Sequence, residues 1–316
     1  MKLSIVATLY RSAATVDEFY RRAMKAAEPI TDDLELVLVN DGSPDDSLER
    51  ALALHRADPR VVVVDLARNF GHHKAMMTGL AHARGDLVFL IDSDLEEEPE
   101  LLAEFHERLA QGDCDVVYGY QQQRGGGLFG RLSGEIYYAV QGWLTDDRLP
   151  RNMMTVRLMT RDYVRALVRY RDREFLIGQL WASSGFRQVG VPARKLSHAP
   201  TTYTLQKRIE MAVKHLTTSS TRLLYLVLYL GLAIWTLSIA AIGFYLVRYF
   251  IWGISVGGFT SLIISIWFFG GLTTLILGVL GVYIANIFSE TKRRPYTVIR
   301  QVYRAANLGE AKSERS

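Results

Sequence analysis

The sequence has 316 residues, one cysteine and a net charge of +4, and its apolar residues are unevenly distributed. This length allows two domains of ordinary size. The single Cys114 excludes an intrachain disulfide, which suits a reducing compartment. We find no nucleic-acid-binding signature beyond the charge. The first residues have the pattern of a strand, so we expect no signal peptide.

The first hundred residues alternate between apolar runs and amphipathic segments. The apolar runs predict four buried strands, namely LSIVATL, LELVLV, VVVVDL and DLVFLI. Continuous apolar strands separated by helices indicate a parallel sheet covered on both faces. The sequence therefore predicts an α/β fold with a mainly parallel central sheet, which would bind ligands beyond the carboxyl ends of its strands.

Local signals mark the predicted starts of the first two helices. Thr15 and Glu18 have the spacing of a capping box. Ser43 is expected to cap the second helix, with Pro44 at its first position.

Five carboxylates follow the fourth predicted strand, although the chain is basic overall. Asp92 and Asp94 alternate with Ser93, so on an extended strand their side chains would share one face. Hard divalent cations prefer such oxygen ligands. Acids in the first turn of a helix, by contrast, simply suit the helix dipole. We therefore expect Asp92 and Asp94 to hold a cation, and Glu97 and Glu98 to be solvated residues at a helix start.

The segment GGGLFG, residues 125–130, matches the glycine pattern of a dinucleotide site. It follows the fifth predicted strand rather than the first. No predicted strand lies between it and the acids that come about 20 residues later. We therefore interpret it as a loop beside the active site.

A long apolar region lies in the last third of the chain. Between Leu223 and Ser289 the only charged residue is Arg248. Since about 20 apolar residues cross a bilayer, this region predicts two crossings, near 223–247 and 259–288. Basic residues flank the pair, namely Lys207, Arg208, Lys214 and Arg222 before it and Lys292, Arg293, Arg294, Arg300 and Arg304 after it. The positive-inside rule then places both ends in the cytoplasm.

These features predict an integral protein of the inner membrane with four parts. They are a cytoplasmic domain at 1–205, a basic juxtamembrane segment at 206–222, two transmembrane helices within 223–288 and a basic cytoplasmic tail at 289–316.

Four stretches, in this order, resemble family-2 glycosyltransferases with the GT-A fold: SIVATLY, VLVNDGSPDDS, LARNFGHHKAMMTGLAHARGD and FLIDSDLEEEPELL. The resemblance is strong over residues 1–130 and loose over 150–205. It is to the branch that moves a sugar from a nucleotide to a polyprenyl phosphate. Dolichyl-phosphate mannose synthase and the bactoprenol glucosyltransferases belong to this branch, and its bacterial members also have a C-terminal pair of membrane helices.

The resemblance implies a donor site that includes the catalytic Asp92 and Asp94. Asp92 would lie near the ribose and sugar, Asp94 on the metal, and Asp41 on the nucleobase or ribose. An Asp turn before Gly42 explains Asp41 as well. Tyr10 occupies the position of a tyrosine at the nucleotide edge, although its neighbours depart from the family pattern. The other residues expected on the nucleotide side are Arg68, Asn69, Gly71 and Lys74, of which Lys74 fits a solvated helix position equally well.

The implied cofactor is Mg²⁺ or Mn²⁺, because a departing diphosphate needs positive charge. Glu96 stands where the family often has Gln and is a third candidate ligand beside Asp94 and Asp92. His72 and His73 are adjacent and do not converge readily on one ion, so we expect loop packing or a hydrogen bond there.

The acceptor phosphate implied by the resemblance requires cationic and hydroxyl groups. Arg157 matches the arginine of the family's Gly-Asp-Phe-Arg-Leu segment, where Thr155 replaces the aspartate that could act as a base. A phosphate monoester is already largely dianionic at pH 7, so orientation matters more than deprotonation. Thr202 replaces a family lysine. The acceptor candidates are Arg124, Arg131, Ser133, Arg157, Tyr203 and Lys207.

The predicted function is therefore an inverting, metal-dependent transfer of one sugar to undecaprenyl phosphate at the cytoplasmic membrane face. Family frequency favours a uridine nucleotide as donor, and self-association stays open. One alternative is a processive polysaccharide synthase, although the sequence has no Q-x-x-R-W motif and two crossings are few for a polymer channel. The other is a non-catalytic membrane subunit that binds nucleotide.

Overall fold

The computed structural model describes residues 1–121, 152–170, 172, 175, 177–196, 222–252, 258–292 and 294–305. Five of the acceptor candidates and the GGGLFG segment lie outside the described residues: Arg124, Arg131, Ser133, Tyr203 and Lys207. The described residues form two units. The first contains the residues up to 196 together with 294–305, and the second contains the residues from 222 to 292.

The first unit is built on a sheet of eight described strands. They are β1 Leu3–Leu9, β2 Leu34–Asn40, β3 Val61–Leu66, β4 Leu87–Leu90, β5 Val116–Tyr120, β6 Met153–Thr160, β7 Gln188–Pro192 and β8 Ile299–Tyr303. Their order across the sheet is β7-β5-β6-β4-β1-β2-β3-β8. The helices of this unit are α1 Val16–Ala27, α2 Ser47–Ala57, α3 His72–His82, α4 Leu101–Leu109, α5 Arg161–Leu167 and α6 Ile177–Ser183.

The four central strands confirm the predicted parallel sheet. β1 pairs in parallel with both β2 and β4, and β2 pairs in parallel with β3. Every residue of β1, β2 and β3 is buried, as expected for strands covered on both faces. Helices cross between them, and Gly79 lets α3 approach closely, because a Cβ there would lie 2.5 Å from Val6 Cγ1. The four carboxyl ends therefore meet at one edge of the sheet.

Two antiparallel strands extend this parallel core. β6 pairs antiparallel with both β4 and β5. β8 pairs antiparallel with β3, although more than 230 residues separate them in sequence. The segment predicted as a cytoplasmic tail thus includes an edge strand of the central sheet. Its basic composition did not indicate a strand.

Of the two predicted helix starts, the first is in the right place and the second is not. Thr15 is the N-cap of α1, but its side chain makes no capping bond, since its hydroxyl donates to the Ser12 carbonyl at 3.3 Å. α2 begins at Ser47 rather than at Pro44. The Asp45 carboxylate explains this shift, because it accepts hydrogen bonds from the Ser43 and Ser47 hydroxyls and holds the preceding residues in a turn.

The second unit contains two long helices, α7 Arg222–Trp252 and α8 Phe259–Thr291. Both predicted apolar segments are helical and extend a few residues beyond the predicted ends. Among the described residues, one window is long and apolar enough to cross a membrane, at Phe268–Ala285 in α8. The hairpin of two crossings therefore stays a prediction.

Candidate functional site

The carboxyl edge of the central strands gathers the predicted donor residues. The segment after β3, residues 67–73, is called the 67–73 loop, and its last two residues are the first two of α3. It lies directly over Gly42, because a Cβ at Gly42 would come within 2.5 Å of the Arg68 carbonyl carbon. Gly42 also has a φ of +59°, which favours glycine. The D-G-S segment after β2 and the R-N-x-G segment after β3, which follow one another in the sequence, thus pack against each other.

Asp41 holds the 67–73 loop by its backbone. Its carboxylate oxygens accept hydrogen bonds from the N–H groups of Phe70 and Gly71, at 2.7 and 3.0 Å. The side chain is buried, and burial raises the pKa of its carboxyl group against these bonds. The Asp turn expected before Gly42 is not formed, since the Ser43 N–H donates to Asn40 Oδ1 instead. Asp41 orders the loop, and its predicted contact with the nucleotide stays a prediction.

His72 connects two strand ends. Its Nδ1 lies 3.1 Å from the Thr8 hydroxyl at the end of β1, and its Nε2 lies 3.2 Å from Asp92 Oδ1. Burial by itself would lower the pKa of His72, but the Asp92 carboxylate, with Asp41 and Asp94, raises it. Burial lowers the pKa of the adjacent His73 to about 4. The hydrogen bond expected in this pair of histidines is confirmed for His72.

Asp92 and Asp94 lie beyond the strand rather than on it. β4 ends at Leu90, so the predicted sharing of one strand face is wrong. The backbone turns here, with Leu95 at a φ of +61°. Asp94 is exposed and accepts a hydrogen bond from the Glu96 N–H at 3.0 Å. Partial burial of its carboxyl group raises the pKa of Asp94, and the charges of Asp92 and Glu96 act in the same direction. The turn thus brings the carboxylates close enough to repel one another.

Ser93 anchors this acidic turn from beneath. It is 2% exposed, and its hydroxyl donates to the Thr8 carbonyl at 2.7 Å. Ser93 therefore points away from the site, as predicted, while Asp92 and Asp94 remain on the open side.

Glu96 forms an ion pair with Lys195. Lys195 follows β7, and Leu196 N donates to the Glu96 carbonyl at 2.9 Å. The carboxylate predicted as a third metal ligand is therefore already paired. Lys195 was not predicted as a site residue, because no sequence pattern relates the segment after β7 to the acidic turn.

Glu97 is buried, which overturns its predicted role as a solvated residue. It is 4% exposed, and its Oε1 accepts a hydrogen bond from the Thr155 N–H at 3.1 Å. Burial raises the pKa of Glu97 to about 8, and the nearby charge of Asp92 adds to this effect. At neutral pH the Glu97 side chain is therefore largely a neutral acid that joins the acidic turn to β6.

Arg157, predicted to bind the acceptor phosphate, lies in the core. It is 0% exposed, and its guanidinium donates to the carbonyls of Thr155 and Met154 and lies over the Trp181 ring. Burial lowers the pKa of Arg157 to about 9. A phosphate at the surface cannot reach this side chain, so we correct its assignment: Arg157 supports β6 from within.

The remaining donor candidates line the rim of the site. Tyr10 is 47% exposed and lies at the end of β1 beside Arg11, whose guanidinium is 5.8 Å from its ring centre. Arg68 lies 4.2 Å from the Phe70 ring centre and donates to the Asn69 carbonyl. Lys74 lies in the first turn of α3. These side chains stand at the same edge as Asp41 and Asp92, as the sequence predicted, and their roles toward a nucleotide stay predictions.

The carboxylates fit a divalent cation bound together with a phosphate. Asp92 Oδ1 is buried, and its approach to His72 is an ion-pair contact without hydrogen-bond geometry. In the described part of the chain no three His, Cys, Asp or Glu side chains form a metal-binding group. Mg²⁺ is commonly held by one or two carboxylates, with substrate phosphates and water completing its shell. Asp92 and Asp94 supply such a pair.

Replacing Glu97 by glutamine should remove a pH dependence of stability. With its pKa raised to about 8 from 4.5, Glu97 stabilises the folded state fully below pH 4.5, and this contribution is lost as the pH rises toward 8. Glutamine can still accept from Thr155 N–H but cannot ionise. We expect Glu97→Gln to unfold at least about 3 °C above the native protein at pH 8.5, with little difference at pH 4.5. The measurement is thermal unfolding in EDTA.

The neighbouring Glu98→Gln is the matched control for this experiment. Glu98 is partly exposed, so its variant should follow the native protein at both pH values. Equal behaviour of both variants would show that Glu97 ionises normally in the folded chain.

Comparison with known proteins provides sequence relatives along nearly the whole chain. The sequence profile described as Glycosyl transferase family 2 matches residues 4–173. A Mycobacterium tuberculosis protein named among glycosyltransferases is 48% identical over 303 residues, which cover 96% of this chain and 89% of that protein. A prophage bactoprenol glucosyl transferase homolog of Escherichia coli K12 is 31% identical over 96% of this chain and 99% of its own length. The bactoprenol glucosyl transferase of Shigella phage SfII is 30% identical, with the same two coverages.

Among solved structures, one similar chain is glucosyl-3-phosphoglycerate synthase from Mycobacterium tuberculosis, in complex with Mn²⁺, UDP and glucosyl-3-phosphoglycerate. The TM-score is 0.47 at 19% identity, and the match covers 69% of this chain and 80% of that one.

Proposed function

This chain belongs to glycosyl transferase family 2 and is a glycosyltransferase, and from this premise we propose that it transfers one sugar from a nucleotide diphosphate to polyprenyl phosphate. The observation that carries the proposal is the match to bactoprenol glucosyl transferases over 96% of this chain and 99% of theirs. The match includes the long helices as well as the sheet, so it favours a lipid acceptor over a soluble one.

The donor side of the proposal rests on the carboxyl edge of the sheet. Asp92 and Asp94 would hold Mg²⁺ or Mn²⁺, which when bound offsets the charge of a departing diphosphate. Asp41 keeps the 67–73 loop in place by bonding two of its N–H groups, and His72 orients Asp92 from the side of α3. We propose a uridine nucleotide as donor and assign Tyr10, Arg68, Asn69, Gly71 and Lys74 to its recognition.

The acceptor side is assigned to polar residues outside the described ranges. Arg124, Arg131, Ser133, Tyr203 and Lys207 are the proposed phosphate ligands, and Arg157 is no longer among them because it is buried. Position 155, where the family has an aspartate that could act as a base, is occupied by Thr155, whose N–H donates to the neutral Glu97. A dianionic phosphate attacks without giving up a proton to a base, so orientation is the requirement at this site. The phosphate oxygen would bond to the anomeric carbon as the nucleoside diphosphate leaves it, and this single displacement inverts the anomeric centre.

We propose that α7 and α8 cross the inner membrane as a hairpin, with the sheet on the cytoplasmic side. α7 has 31 residues and α8 has 33, so each is longer than the roughly 20 residues a crossing needs. Large apolar side chains are exposed on both, among them Leu237, Phe250 and Leu275, which is unfavourable in water and suits lipid. The chain also returns to the sheet at β8 after the second helix, which requires an even number of crossings.

Product analysis tests this function directly. The full-length protein in membranes should convert a radiolabelled sugar nucleotide and undecaprenyl phosphate into a lipid-linked monosaccharide, and EDTA should stop the reaction. UDP-glucose, UDP-N-acetylglucosamine and GDP-mannose form the first donor panel. A polymeric product would support a processive synthase instead, and nucleotide binding without transfer would support a non-catalytic subunit. Either outcome overturns the proposal.

A further inference from the structure

The chain returns from the long helices to the catalytic sheet through residues 294–305, here called the C-terminal strap. Its strand β8 pairs with β3 from Val63↔Tyr303 to Leu66↔Ile299. Beyond the strand, Ala67 N donates to the Val298 carbonyl at 2.9 Å. The ladder therefore continues past the end of β3 into the first residue of the 67–73 loop.

Two arginines fasten the C-terminal strap at opposite edges of the sheet. At the carboxyl edge, Arg300 lies 3.4 Å from the buried Asp65 carboxylate and donates to the Ala67 carbonyl at 2.9 Å. At the amino edge, Arg304 lies 3.3 Å from the buried Glu35 carboxylate and donates to the His82 carbonyl at 2.7 Å. The two clamps are chemically alike, but the Arg300 clamp ends on Ala67, the first residue of the 67–73 loop, and the Arg304 clamp ends on His82, at the end of α3.

The residues before β8 reach the other side of the same loop. The Thr297 hydroxyl lies 2.9 Å from the Thr78 hydroxyl on α3, the helix that follows the loop. The Tyr296 ring packs edge-on against Phe175, with ring centres 6.2 Å apart. The Phe175 backbone in turn lies beside the His73 side chain. The strap thus contacts the start of the 67–73 loop directly, and it contacts Phe175, which lies beside the last residue of the loop.

We propose that the C-terminal strap positions the 67–73 loop for donor binding, with Arg300 and Tyr296 as positioning residues. The proposal rests on the proposed function for the identity of the ligand, but its structural part concerns the loop alone. Asp41 fixes the middle of the loop and Gly42 lies beneath it, whereas the strap fixes its start. Because the strap directly follows α8 in the chain, the donor loop is anchored to the segment that leaves the second long helix.

Hydrogen exchange of the full-length protein in detergent tests the structural part without any ligand. Arg300→Ala and Tyr296→Ala should speed amide exchange within residues 67–73. Arg304→Ala is the matched control, since it removes an equivalent arginine–carboxylate clamp. It should speed exchange at the amino edge, where the Arg84 N–H bonds to Glu35, and leave the 67–73 loop unchanged.

Donor kinetics with the active nucleotide of the panel test the functional part. Arg300→Ala and Tyr296→Ala should raise the KM for the donor by roughly two- to thirtyfold, the range for residues that act on a site without touching its ligand. The KM for undecaprenyl phosphate should not change, and Arg304→Ala should leave both values as they are. Arg300→Lys keeps a charge for Asp65 but cannot also hold the Ala67 carbonyl in the same planar geometry, so it should recover stability without recovering the donor KM.

Three outcomes would overturn the proposal. Unchanged exchange at 67–73 in both variants would show that the strap does not hold the loop. Equal effects of Arg300→Ala and Arg304→Ala on the donor KM would show that the strap only stabilises the fold in general. Faster exchange with an unchanged donor KM would show that the position of the loop does not affect donor binding. Absence of transfer in the native protein would instead refute the proposed function, and the exchange result would still decide whether the strap holds the loop.

Discussion

Asp94→Asn should reduce sugar transfer by roughly a thousandfold or more while leaving the fold unchanged. A bound cation stabilises the leaving diphosphate by several kcal/mol, and each 1.4 kcal/mol is about tenfold in rate. Asparagine removes the charge that we propose holds the cation and keeps nearly the same shape. Asp94 is exposed and accepts one backbone hydrogen bond, so its replacement removes little packing and relieves repulsion from Asp92. The measurements are transfer to undecaprenyl phosphate and thermal unfolding in EDTA.

Asp33→Asn provides the matched control for the loss of one carboxylate. Asp33 is exposed just before β2, at the amino edge of the sheet, so its variant should transfer at the native rate. If Asp94→Asn keeps activity within roughly threefold of the native protein, or if transfer continues in excess EDTA, Asp94 is not a metal ligand.

Gly42→Ala should have the second large effect, because it would displace the 67–73 loop. The φ of +59° strains any L side chain, at about 1–3 kcal/mol. The new Cβ would also come within 2.5 Å of the Arg68 carbonyl carbon, a backbone atom that cannot turn aside. The loop contains the two N–H groups that donate to the Asp41 carboxylate, and it leads into His72. Binding of the sugar nucleotide should therefore be lost together with stability. Transfer assays at rising donor concentration and thermal unfolding measure the two effects.

Gly112→Ala separates strain from steric clash. Gly112 has a similar φ of +77°, but a Cβ there meets nothing within 4 Å. This variant should lose stability to a comparable degree through strain and retain the native donor KM. A native donor KM in Gly42→Ala would show that the loop tolerates displacement, and the donor site would then need to be placed elsewhere.

Residue patterns alone predicted the parallel core and assigned the candidate site to its carboxyl edge. Apolar runs too continuous for a one-sided sheet predicted β1 to β4, because strands covered on both faces must be apolar along their length. Parallel strands have their carboxyl ends at one edge, so the residue order alone predicts that Asp41, Asn69 and Asp92 lie together. The resemblance to the family then assigned donor binding to that edge. It could do so because residue types and their order along the chain are read directly from the sequence.

Which charged groups face the candidate site depends on long-range packing. Glu97 and Arg157 have the composition of surface residues, yet both are buried, and Glu97 bonds to a residue 58 positions away. Lys195 pairs with Glu96 across the sheet, and Arg300 reaches Asp65 over 235 positions. Burial and pairing of this kind depend on which distant segments pack together. Periodicity and spacing report only neighbours along the chain, so the acidic turn and the C-terminal strap could be understood only in the folded protein.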